Sequence, residues 1–228
     1  MARLTWHGHS TFTLVTDNGK RVLFDPFLND NPKSDIRADD VSQLDFMFCS
    51  HGHGDHFADA ISIAKRTGAL LVAAYELAGY AASQGVPNTH GMSIGGGHTF
   101  EGLGYVKLTA ALHGGAVDGS DGKVVTQPCG FLVELEGSTI YHAGDTALLM
   151  DMQLLRDRVD VALLPIGDNY TMGPEDAARA VEFIAPGVVI PMHYNTWDVI
   201  AQDPQAFADR VGSQARVHIL NPGESYEF

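Results

Sequence analysis

Two stretches of this chain share one plan, and that plan limits the folds open to it. Residues 12–27, FTLVTDNGKRVLFDPF, alternate apolar and polar, turn at Asn18-Gly19, run on apolar and end at Asp25. Alternation broken by Asn-Gly is a strong hairpin signal. Residues 131–146, FLVELEGSTIYHAGDT, repeat the design, turning near Gly137 and ending at Asp145. Each hairpin is followed by an apolar strand that opens into a polar loop: LDFMFCSHGHGDHF in the first half, VDVALLPIGDNYTM in the second. Each loop leads to a helix, FADAISIAKRTG or PEDAARAVEFIAPG, and each helix to a buried strand, ALLVAAYEL or VVIPMHYNTW. Pro174 suits the first turn of the second helix, and Glu175 and Asp176 suit its positive end.

Such a unit presents one apolar sheet face that it cannot bury alone. Two units bury those faces against each other and leave helices outside. The expectation is an α/β chain, a four-layer αββα sandwich of two pseudo-repeated halves, about residues 1–115 and 116–228, forming one domain over 1–228. An apolar share of 45% supplies the core. The formal charge of −14 repels phosphate backbones, which argues against nucleic acid as a partner. Two cysteines do not make a disulfide framework and fit a reducing compartment. The start, MARLTWHGHSTF, shows no signal peptide, and no apolar run reaches the roughly 18 residues of a membrane helix. A cytoplasmic protein is expected.

The second constraint is chemical. Cys49–Phe57, CSHGHGDHF, sets His51, His53, Asp55 and His56 inside six residues, in a chain with 11 His. Imidazole and carboxylate together suit zinc and its neighbours. Successive side chains in an extended loop point apart, so two ions serve these four donors better than one: His51 and His53 on one side, Asp55 and His56 on the other. Gly52 and Gly54 are expected to let the backbone fold tightly between them. A structural zinc site is closed by four ligands, often Cys. Cys49, on the strand side and followed by Ser50, argues against one. Further donors stand at the ends of expected strands: His113 after YVKLTAAL, Asp145 in YHAGDT and His193 in VIPMHYN. Sites in α/β sheets gather at carboxyl ends of strands.

This series, together with HGHSTF, DPF, YHAGDT, PIGDNYTMGPEDA and PMHYNTW, resembles the metallo-β-lactamase fold over nearly the whole chain. Within it the motifs are similar to metal-dependent hydrolases akin to bacterial ascorbate-6-phosphate lactonases and N-acyl-phosphatidylethanolamine phospholipase D enzymes. The resemblance implies a first metal on His51, His53 and His113, a second on Asp55, His56 and His193, and Asp145 between them. The ions would be divalent, zinc first, with manganese, iron or nickel open. It implies a dinuclear hydrolase whose metal-bridging hydroxide attacks an ester, lactone or phosphodiester. Two carboxylates leave two such ions net positive, which suits an anionic small-molecule substrate. Asp145 stands where antibiotic-destroying members carry Cys, so a β-lactam is not the expected substrate. Asp55, with a second oxygen, is the candidate to pass a proton to the leaving group.

Other residues are expected around the centre. Asp25 would brace the His-rich loop, or else cap the turn before Pro26. His7 and His9 flank Gly8 with the spacing that puts both on one strand face, where they could bind substrate or orient Asp25, or simply be buried and hydrogen-bonded. His142 lies three before Asp145 and would support it. Asp168, Asn169, Tyr170 and Thr171 occupy the loop that corresponds to the His-rich one and would face the same cleft, as would Asn195 and Thr196; turn and capping roles are the alternative. Gly114–Gln127 is a polar, Gly-rich candidate lid. A homo-oligomer is compatible with all of this. The fold also hosts di-iron redox proteins, but those carry Glu in place of His53 and a flavin domain. A metal-binding scaffold would be expected to have lost part of the ligand series.

Overall fold

A computed structural model describes residues 1–118, 120 and 124–228. The chain forms two seven-stranded mixed sheets packed face to face with helices outside, the expected four-layer α/β sandwich. The first sheet contains β1 (Arg3–Trp6), β2 (Phe12–Val15), β3 (Arg21–Phe24), β4 (Phe46–Cys49), β5 (Leu70–Ala74) and β6 (Thr89–Met92). The second contains β7 (Gly97–Phe100), β8 (Gly104–Ala110), β9 (Cys129–Leu135), β10 (Ser138–His142), β11 (Val161–Pro165), β12 (Val188–Met192) and β13 (Arg216–Val217). From β1 to β6 successive pairings run antiparallel twice and then parallel three times. From β8 to β13 the order is the same. β7 adds to the free edge of β8, and β14 (Ser225–Glu227) returns to the free edge of β1. The two sheets therefore divide between Met92 and Gly97, not near residue 115, because β7 and β8 pair into the second sheet.

Strand alternation sorts the cores. Phe24, Phe46, Phe48 and Val72 face the second sheet, while Leu23, Met47, Leu71 and Ala73 face the outer helices. Aromatic rings carry the contact between sheets: Phe48 stacks on Phe131 with centroids 5.1 Å apart, and Phe24 meets Phe131 at 6.2 Å. Outside the first sheet lie α1 (Gly54–Phe57), α2 (Ala60–Thr67) and α3 (Tyr75–Ser83); α4 (Pro174–Ile184) and α5 (Pro204–Val211) cover the second. The stretch ALLVAAYEL is not all strand. It stops at Ala74, and α3 begins at Tyr75, because Leu77, Ala78 and Ala81 make one helical face that buries against the first sheet. Pro174 takes the first turn of α4 with Glu175 and Asp176 beside it, as the sequence predicts. Among the described residues no helix is long and apolar enough to cross a membrane.

Strands β8, β10, β11 and β12 run in one direction, since β8 and β10 each oppose β9 and the later pairs are parallel. Their carboxyl ends share an edge, which carries His113, Asp145 and His193. The His-rich loop follows β4 and is tied to this edge by the Cys129 N–H, which donates to the Ser50 carbonyl at 3.0 Å. On its other side the segment after His113 grips it. Asp118 N–H donates to the Gly52 carbonyl (3.1 Å), and Gly54 N–H donates to Asp118 Oδ2 (2.7 Å). Gly52 and Gly54 are not at left-handed turns. A Cβ on Gly52 would lie 2.6 Å from Val117 Cγ2 and 3.0 Å from Val117 Cα, so the glycine serves close approach. The proposed lid falls partly on residues 119 and 121–123, outside the described residues; its flanks pair through an Ala116–Val125 bridge.

Two outcomes follow. Gly52→Ala pushes against backbone as well as side chain and is expected to destabilise the protein by about 1–3 kcal/mol, read as a lower urea midpoint at unchanged slope. Cys49 and Cys129 are both free and 0% exposed, and burial pushes both thiols up. A thiol reagent at pH 8 should label neither in the native protein and both after denaturation.

Candidate metal centre

Asp25 organises the start of the site. Its backbone is left-handed (φ 43°), its side chain is fully buried, and it accepts three hydrogen bonds. Ser50 N–H and Ser50 Oγ–H donate at 2.7 Å each, and His56 Nδ1–H donates at 2.8 Å. Ser50 Oγ in turn lies 3.0 Å from His51 Nδ1, which donates to it. With their Nδ1 atoms used this way, His51 and His56 turn their Nε2 atoms inward. His51 Nε2 faces His53 Nδ1 at 3.0 Å.

The second sheet supplies the rest. His56 Nε2 is 3.3 Å from Asp145 Oδ2, His113 Nε2 is 3.6 Å from it, and His193 Nε2 is 2.9 Å from it. These approaches lack hydrogen-bond alignment. His56 Nε2, both ring nitrogens of His193, and Asp145 Oδ1 are buried with no partner. Three overlapping donor groups result, each with ligand atoms within 4.8 Å of one another: His51, His53 and His113; His51, His56 and Asp145; and His9, Asp55, His56 and His193. All seven residues expected as ligands thus converge, with His9 as an addition. Unpartnered buried nitrogens facing carboxylates cost free energy unless a cation sits among them, so this donor set fits divalent metal.

The electrostatics agree. Burial works against a charged His56, but the Asp145, Asp55 and Asp25 carboxylates outweigh it and push His56 well up. His51 is held well down by burial and by the neighbouring His56. Burial and then nearby imidazoles also lower His113 overall, against the pull of Asp145. Burial opposes ionisation of Asp145 and Asp55, yet His193 and His56 around the first, and His56 and His9 around the second, hold both as carboxylates.

His9 departs from the strand expectation. β1 ends at Trp6, and residues 7–10 turn, with Gly8 at φ 87° and His9 at φ 54°. His7 and His9 therefore do not share a face. His7 bonds Asp35 and Thr13. His9 is fully buried, its Nε2 lies 3.1 Å from Asp55 Oδ2, and its Nδ1 lies 2.8 Å from Thr196 Oγ1. Burial, then the charge of His193, pushes its pKa down to about 4, so the ring is neutral. Nε2–H donates to Asp55, and Nδ1 accepts from Thr196. The His9 carbonyl also accepts from His193 N–H at 3.0 Å, which locks it to the second sheet.

Among the described hydrogen bonds, none joins His142 to Asp145. Its Nδ1 accepts from Gly144 N–H (3.2 Å), its Nε2–H donates to the Ser10 carbonyl (3.0 Å), and its ring stacks on Phe24. It holds the turn before Asp145. Asp168 and Asn169 are left-handed and exposed, and the Asp168 carboxylate accepts from Asn169 N–H. Tyr170 N–H closes the same turn on the Asp168 carbonyl, and its ring is exposed. Asn195 Oδ1 accepts from Gln202 N–H, closing its own loop. None of these four bonds a cluster residue among the described hydrogen bonds.

Known proteins resemble this chain in sequence and in fold. A model of the β-lactamase superfamily domain matches residues 3–193. A UPF0173 metal-dependent hydrolase of Pelotomaculum thermopropionicum is 47% identical over 232 aligned residues, covering 99% of this chain and 100% of the relative. One from Bacillus cytotoxicus is 50% identical over 228, covering 98% of each. The solved structure of Igni18, a metallo hydrolase of the archaeon Ignicoccus hospitalis, is 36% identical, covers 100% of this chain and 99% of its own, and superposes with a TM-score of 0.88. With motif, fold and near-complete coverage in agreement, the chain belongs to the UPF0173 metal-dependent hydrolase family of the β-lactamase superfamily.

Proposed function

We infer that this protein is a metal-dependent hydrolase that uses two divalent ions on an ester, lactone or phosphodiester of a small anionic molecule. The observation that carries the reading is the buried set of inward-facing, unpartnered nitrogens around Asp145. His51, His53 and His113 would hold one ion, and Asp55, His56 and His193 the other, with Asp145 between. When bound, such a pair supplies activated water near neutral pH and polarises the oxygen under attack. Because donors come from both sheets, the reading treats the 228 residues as one domain.

The chain's own groups have separable tasks. Asp25 and Ser50 present the inward nitrogens of His51 and His56. His9, neutral and oriented by Thr196, keeps Asp55 a carboxylate and fixes its Oδ2. Asp55 is 26% exposed at its side chain, against 2% for Asp145 and 0% for Asp25. Of the three carboxylates it is the one that leaving-group oxygen can reach, so it takes and delivers the proton. Asp168, Asn169 and Tyr170 lead into Met172, whose N–H donates to the carbonyl of Thr146, the residue after Asp145; that bond supports a place for this loop beside the centre.

Removing metal with a chelator should abolish turnover and lower the melting temperature, and zinc, manganese, iron or nickel should restore both at two ions per chain. The reconstituted protein should hydrolyse at least one of bis-p-nitrophenyl phosphate, a lactone panel or a thioester panel; two bound ions with no turnover on any would overturn the reading. Asp55→Ala should lower kcat by about 10²–10⁴-fold. Unchanged kcat with full metal content would remove Asp55 from the proton path.

A further inference from the structure

The sequence has two tryptophans, and they sit in opposite environments. Trp6 is 4% exposed, stacks on Tyr194 and donates its indole N–H to the His9 carbonyl. Trp197 is 39% exposed. Its ring meets His9 edge-on with centroids 5.1 Å apart and leans on Phe27 at 6.0 Å. His9 separates this indole from Asp55, the most solvent-reachable carboxylate of the cluster. An exposed aromatic surface and the most exposed carboxylate of the cluster thus both adjoin one buried imidazole.

The loop that carries Trp197 is braced. Asn195 N–H donates to the Ile200 carbonyl, Ile200 N–H donates to the Trp197 carbonyl, and Gln202 N–H donates to Asn195 Oδ1. Gln202 Nε2–H reaches the Gly167 carbonyl, and Ile200 is fully buried beneath. The indole is therefore held outward by a rigid segment, and a preorganised aromatic face costs little ordering on binding. No Lys or Arg makes an ion pair or hydrogen bond with a cluster residue among the described contacts. Trp197 is thus an exposed apolar surface beside the centre, available to contact by shape.

We propose that Trp197 is a specificity-determining residue: the substrate carries a planar apolar group, an aryl or similar ring, that lies on the indole while its hydrolysable group reaches Asp55. This rests on the hydrolase reading above and names the substrate class within it.

The test measures binding without turnover. Phenylphosphonate and methylphosphonate are titrated into the metal-loaded protein by calorimetry, with metal content and melting temperature measured for every variant. Trp6 is buried, so ligand-dependent change in tryptophan emission reports Trp197. The expected result is tighter binding of phenylphosphonate by about tenfold, with quenching. Trp197→Phe should keep most of that ratio, and Trp197→Ala should bring it close to one. Equal affinities in the wild type, no binding of either phosphonate, or a ratio that survives Trp197→Ala would overturn the proposal. Failure of the hydrolase reading would show separately, as absent turnover with the phenyl preference intact.

Discussion

The site depends on one buried carboxylate. Asp25 sits at the end of β3 with no exposed side-chain surface, and an isolated charge there would cost several kcal/mol. Three donors compensate it, and each comes from the His-rich loop. That makes the loop's conformation inseparable from the carboxylate's solvation. It also settles which nitrogen each imidazole presents. His56 uses Nδ1 on Asp25, and His51 uses Nδ1 on Ser50, so both show Nε2 to the interior. The resulting convergence of buried imidazole nitrogens and carboxylates needs compensation by protons or by a cation, and the bonds that aim these nitrogens are the ones that order the loop.

The sheets are joined where the chemistry lies. Cys129 N–H bonds the Ser50 carbonyl, His193 N–H bonds the His9 carbonyl, and His142 bonds the Ser10 carbonyl. Each link runs from the second sheet to the first at the edge that carries the donors. The stacked Phe24, Phe48, Phe131 and His142 rings lie directly behind. His9, Asp25 and His193 all adopt left-handed backbone, at φ 54°, 43° and 54°. Such conformations cost about 1–3 kcal/mol each and persist only where surrounding contacts over-determine them. For His9 and His193 those contacts include the cross-sheet bond between them, and for Asp25 they are the three hydrogen bonds from the His-rich loop.

Much of the molecule can be read from residue order. The hairpin at Asn18-Gly19, the strand before Cys49, the helix opened by Pro174 and the strand ending at Met192 all have local causes: turn chemistry, apolar run length and end charges. The donor set is legible for a similar reason, since imidazole and carboxylate at the ends of parallel strands have few other uses. Less legible was anything that turns on a neighbour distant in the chain. ALLVAAYEL reads as one strand until Leu77, Ala78 and Ala81 find the sheet that makes them a helix face. His9 reads as a strand partner of His7 until a left-handed turn rotates it onto Asp55.

Chain order and side-chain chemistry thus carry the layer architecture, the family and the residues suited to metal, because periodicity, turns and ligand type are local properties. The tautomer of each imidazole, the role of Gly52 as room for Val117, the use of Asn195 to close its own loop, and the exposure of Trp197 against the burial of Trp6 belong to the folded form. Each depends on which atoms arrive within bonding or contact distance in the folded chain, and that is set by the path of the backbone in three dimensions and not by residue type.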